Sequence, residues 1–207
     1  MDDSDGNATE SSIKAGSPSK ASANWASVLT DAADIADTYR EDGWTVVTCE
    51  TRDVVPWSGG DEQTEVRREP PGDPDQQTDA DEAGVAPGQA WSGGFDVLVS
   101  DPSFEATNAH VESVDTPAGT AASSFGSADV YRQTETDTTF VIAVERDDQT
   151  ETVIVVPLYY RADEASRTLD AAREAGELLI RLRAASHDDW LTFSHDDPSL
   201  FVPVDAE

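Results

Sequence analysis

Lysine is nearly missing from this chain. Lys14 and Lys20 are the only two, and both precede the first periodic apolar segment. Everything after them therefore lacks a Schiff-base lysine, a Walker lysine, a kinase-type lysine and a lysine-bearing nuclease site. Cysteine is represented by Cys49 alone, which excludes an intramolecular disulfide and a Cys-rich zinc module. Positive charge of any kind is scarce, at 13 Lys and Arg against 43 Asp and Glu. Without a basic stripe to displace counterions, direct binding to nucleic acid is not expected. No apolar run is long enough for a membrane span. Met1 to Asp5 has neither the basic region nor the apolar stretch of a signal peptide, so the expected compartment is the cytoplasm. Gly-x-Ser-x-Gly, His-Glu-x-x-His and EF-hand patterns are also absent, and no motif assigns a catalytic residue or a cofactor.

What is abundant is acid. The formal net charge is -30, and it runs along the chain rather than gathering in one block. In dilute salt such a chain repels itself. In molar salt the Debye length falls to about 3 Å, and the carboxylates hold water and solvent cations instead. With arginine replacing lysine and Asp, Ala and Thr abundant, the composition points to a high-salt cytoplasm.

Residues 1–23 are rich in Ser, Asp, Ala and Gly and read as a disordered tail before a single domain over 24–204. Asn24 is placed to cap a helix in which Trp25, Val28, Leu29, Ala32, Ile35, Ala36 and Tyr39 share one face, with Gly43 past its end. A strand is expected next, over 44–51. Trp57-Ser58-Gly59-Gly60 then recurs as Trp91-Ser92-Gly93-Gly94, around a stretch too polar to build a core. Residues 58–93 are thus expected to be a disordered acidic insert between two strands, and the repeat to be a duplication or two ends closing side by side. Phe95 to Ser100 reads as a strand, Asp101-Pro102 as a helix start, and 103–113 as a short helix. A meander is expected over 128–135, 138–146 and 150–160, with Phe140–Val144 and Val153–Val156 buried on both faces. A long helix is expected over 163–185, with Arg181 and Arg183 near its end, and a last hairpin between 190–193 and 200–202. The order predicts an α+β fold, an antiparallel or mixed sheet carrying two main helices. Two helices leave sheet area to cover, which a homodimer or another protein partner would supply.

The polar candidates are few. His187-Asp188-Asp189 and His195-Asp196-Asp197 combine imidazole and carboxylate, reasonable ligands for zinc or manganese. The competing reading is a helix end and a turn before Pro198, with aspartates capping backbone N–H groups. Asp96, Asp101 and Glu105 gather near a strand end and either bind a cation or cap the next helix. The weak metal candidates are therefore His195, Asp197, Asp96 and Asp101. Cys49 lies on an apolar strand without a basic neighbour and reads as a packed thiol. Trp44, Trp57, Trp91, Trp190, Tyr159 and Tyr160 sit near strand ends, suited to core packing or to a binding groove.

Four segments carry a resemblance: Tyr39 to Trp44, Gly94 to Val99, Pro157 to Tyr160, and Trp190 to Pro198. Through them the chain resembles a family of uncharacterised haloarchaeal proteins, a domain of unknown function. The resemblance implies kinship and habitat and carries no activity; the 58–93 stretch is expected to be an elaboration of it. Two functions are weighed. One is a non-enzymatic interaction or adaptor domain, loosely similar in element order to small dimeric secretion chaperones. The other is a metal-dependent hydrolase or small-ligand enzyme built on the His195-Asp196-Asp197 turn with Asp96 or Asp101.

Overall fold

The computed structural model describes residues 23–59, 93–111 and 125–203. Residues 1–22 of the expected tail, Trp91 and most of the expected insert lie outside the described residues, while Ala23 opens a helix. Helix α1 (Ala23–Glu41) starts one residue before Asn24, whose amide donates instead to Glu135. Trp25, Val28, Ala32 and Ala36 are buried at helical spacing, and two alanines let the helix lie close on its sheet. Gly43, at φ 92, turns the chain out of the helix.

The extended segment after it does not stay in one sheet. Strand β1 (Thr45–Thr48) pairs parallel to β6 (Thr152–Arg161), while β2 (Thr51–Trp57) pairs antiparallel to β3 (Gly93–Val99). Cys49 and Glu50 form the corner between them. The Cys49 N–H still donates to Val155 O at 2.9 Å, whereas Glu50 O already accepts from Ser100 N at 3.0 Å. Sheet A runs β1-β6-β5-β4 and sheet B runs β2-β3-β7-β8, using β4 (Gly126–Glu135), β5 (Thr138–Asp147), β7 (Leu178–Arg183) and β8 (Leu191–His195). Both sheets mix parallel and antiparallel pairs, and with three helices the fold is α+β.

Strands β5 and β6 are buried on both sides because their two faces meet different partners. Phe140, Ile142, Val144, Val153, Val155 and Tyr159 pack under α1. Val141, Ala143, Ile154, Val156, Leu158 and Tyr160 face sheet B, meeting Phe95, Val97, Ile180, Leu182 and Phe193. This second cluster is the main core. Helix α2 (Asp101–Val111) adds Phe104 and Val111 to it, and α3 (Ala162–Ala175) adds Ala165, Leu169 and Ala172. Helix α3 can press onto sheet B because Gly93 has no side chain. A Cβ there would stand 2.2 Å from the Thr168 carbonyl oxygen.

Two sequence expectations are corrected. The expected helix over 163–185 ends at Ala175, where Gly176 takes a left-handed φ of 74 and its N–H returns to Ala172 O. The chain then enters β7, in which Leu178, Ile180 and Leu182 are buried and Leu179, Arg181 and Arg183 are half-buried. That is a period of two, so the arginines are strand residues and not neutralisers of a helix end. The expected last hairpin is also replaced. Strand β8 pairs with β7, and Pro198–Phe201 is a turn of 3-10 helix. That turn plugs the core: Phe201 is fully buried, and its carbonyl accepts the Tyr160 hydroxyl. Arg132 of β4 donates to the Ser199 and Leu200 carbonyls at 3.0 and 2.7 Å, fastening sheet A to the end of the chain.

Candidate functional site

Inward-facing leucine and isoleucine on β7 force its alternate residues onto the outer face of sheet B. The pairing registers lay that face out in rows. Asp53, Leu98 and Arg183 form one row, Val55, Asp96, Arg181 and Thr192 the next, and Trp57, Gly94, Leu179 and Ser194 the third. Trp190, just before β8, continues the first row. Across them runs a column of stacked planar groups. The Arg181 guanidinium carbon lies 3.9 Å from the Trp57 ring centre and 4.9 Å from that of Trp190. The Arg183 guanidinium carbon lies 5.8 Å from the Trp190 ring centre.

Arg181 is fixed a second way. Its Nε and Nη2 meet the two oxygens of Asp96 at 2.6 and 3.1 Å, a two-pronged ion pair with both side chains only 17% exposed. Such a fork between planar groups exploits what arginine has and lysine lacks. Gly94 makes room for the column, since a Cβ there would come within 3.0 Å of the Trp57 ring. The pairing of Trp57 with Gly94 sets the first residue of one tetrapeptide beside the last of the other. Val55 and Trp190 stand at opposite flanks of the face, 46% and 41% exposed. Among the described residues no helix packs on it: α1 lies on sheet A, α3 meets the inner face at Gly93, and α2 adds to the inner core.

A second polar group is hidden between the sheets. Glu145 shares the inner face of β5 with Val141 and Ala143, and His195 ends the inner face of β8 after Leu191 and Phe193. His195 Nε2 comes within 2.8 Å of Glu145 Oε1, and both side chains are fully buried. The approach is close enough for an ion pair but misaligned for a hydrogen bond, so their four polar atoms have no hydrogen-bond partner. The edge of the imidazole rests on Phe201, 4.8 Å between ring centres. Nearby Cys49 is also buried, 3.8 Å from the Thr107 hydroxyl, and burial raises its thiol pKa to about 12.

The four candidate metal residues go to separate tasks. His195 meets Glu145; Asp96 holds Arg181. Asp197 accepts from Ser199 N at 3.0 Å, capping the 3-10 turn, and Asp101 sits exposed in the first turn of α2. His187, of the other triplet, lies 3.8 Å from Glu105 and against the Phe104 ring. Among the described residues no three His, Cys, Asp or Glu side chains gather as a metal-binding group. Glu145 belongs to no sequence motif, and the sequence places Arg181 at a helix end and not on a sheet face. The signal for Glu145 was its parity with Val141 and Ala143; for Arg181 it was the two-residue period after Gly176.

These elements define an α+β domain of two mixed four-stranded sheets, with a stacked arginine–tryptophan column on one outer face. The chain belongs to a family of unknown function (DUF7529), whose profile matches residues 11–68 and 72–203. That match takes in most of the 58–93 stretch. No curated protein and no solved structure matches the chain. Among the described residues, no helix is long and apolar enough to cross a membrane.

Proposed function

We propose that this chain is a halophile-adapted, cytoplasmic protein-interaction domain that meets its partner with the outer face of sheet B. The carrying observation is the Trp57–Arg181–Trp190 column, with Val55 and Trp190 exposed on a face that no helix covers among the described residues. Tryptophan and arginine dominate binding energy at protein interfaces because each offers a large planar area with a polar edge. Here Asp96 and the two rings already hold Arg181 in place, so binding would freeze little additional side-chain motion. The haloarchaeal habitat is supported by the net charge of -30 and by the near-absence of lysine.

Site-specific photo-crosslinking in intact cells tests this. A benzophenone side chain at position 55 is expected to form a discrete protein adduct, and one at the exposed Asp31 of α1 is not. Equal labelling from both positions, or none from position 55, would refute the reading.

A further inference from the structure

Taking that face as the contact surface, we infer that its occupant is a second copy of this chain, docked face to face about a twofold axis parallel to the strands. The face is electrically two-sided. Asp53 and Asp96 lie on its β2/β3 half, while Arg181 and Arg183 lie on β7. Glu177, the residue before β7, is held by the Ser194 hydroxyl at 2.5 Å. A twofold axis between β3 and β7 lays each acidic half on the basic half of the other copy. Asp96 then faces the partner's Arg181, and the two intrachain forks join into one four-membered network. An axis perpendicular to the strands would set Asp96 on Asp96 and Arg181 on Arg181, so charge selects the first arrangement.

The exposed apolar groups are also covered by it. Val55 is on β2 at one flank and Trp190 is beside β8 at the other, 46% and 41% exposed. The same axis exchanges the flanks, bringing each Trp190 onto the other copy's β2 beside Val55. Each exposed side chain thus finds its cover in the other copy.

Size and charge set the strength of this dimer. Four strands about 4.8 Å apart, with three outward positions each, present about 400 Å² per copy, half of a standard interface. Two chains of net charge -30 also repel until salt shortens the Debye length to about 3 Å. The dimer is therefore weak, and it requires molar salt.

Sedimentation equilibrium of the full chain in molar KCl, from about 10 μM to about 1 mM, tests it in the range where weak interfaces populate. The mass is expected to rise from 22.2 kDa toward twice that value, and to stay monomeric in dilute salt. Val55→Asp and Trp190→Ala, with native circular dichroism, are expected to remain monomeric in molar salt. Leu29→Asp, on exposed α1, is expected to dimerise like the parent. A constant monomer mass for the parent overturns the inference, as does a dimer unaffected by the two face variants or lost with Leu29→Asp. A monomer whose position 55 still crosslinks to a different protein retires the second copy and leaves the interaction reading standing. A monomer without crosslinks retires both.

Discussion

Replacing His195 with leucine leaves Glu145 fully buried without the imidazole it meets at 2.8 Å, and replacing Glu145 with leucine likewise orphans His195. An isolated buried charge has lost its hydration with nothing in exchange, and breaking one side of such a pair costs about 3–5 kcal/mol. Against a domain stability of about 5–15 kcal/mol, either single variant should lower the urea midpoint severely. The double variant, Glu145→Leu with His195→Leu, should behave differently. It removes both desolvated polar groups together and fills similar volume with apolar atoms. Its loss should therefore fall far below the sum of the singles, and it can exceed the parent by about 1–4 kcal/mol. The misalignment of the 2.8 Å contact strengthens this expectation, because the native pair gains no hydrogen bond to offset its desolvation. Urea unfolding in molar KCl measures all four proteins, with equal slopes confirming that the unfolded states are comparable. A double variant as unstable as the sum of the two singles would refute the reasoning, showing that each residue acts through neighbours other than its partner.

Three further outcomes concern the core. Gly93→Ala drives a methyl group to 2.2 Å from the Thr168 carbonyl, so α3 must shift, and thermal unfolding should register a loss of about 1–3 kcal/mol. Tyr160→Phe orphans the buried Phe201 carbonyl and should cost about 1–3 kcal/mol by urea titration, while a parent-like midpoint would dismiss that bond. Cys49 should resist iodoacetamide in the native state and react once unfolded, as mass spectrometry would show. Burial raises its pKa from an ordinary 9.0 to about 12, so the stability tied to the neutral thiol is complete below about pH 9. It is lost as pH climbs toward 12, and Cys49→Ala should flatten that alkaline decline.

The elements visible in the sequence were those whose pattern is local. Trp25 through Tyr39 repeats at helical spacing, and the meander is punctuated by turns such as Thr136-Asp137. The stretch from Ala162 to Arg183 misleads because Leu178, Leu179, Ile180 and Leu182 extend the stripe begun by Ala165 and Leu169. Only Gly176 and the two-residue alternation behind it betray the strand. His195 was more deeply hidden. Asp196, Asp197 and Pro198 announce a turn, whereas the burial of the imidazole depends on Glu145, a residue of the opposite sheet. No local pattern carries that information. The arginine column was obscured for a related reason, since it joins Trp57, Asp96, Arg181 and Trp190 from three strands and a loop.

The meeting of Trp57 and Gly94 in one register has a consequence for how this chain can vary. Their pairing closes the base of everything between them. For a flexible connection across a closed base, added length costs loop entropy, which grows logarithmically at about 0.6 kcal/mol for each doubling. The junction is thus a place where residues can be gained or lost at small energetic cost, while the sheet face beside it keeps its geometry.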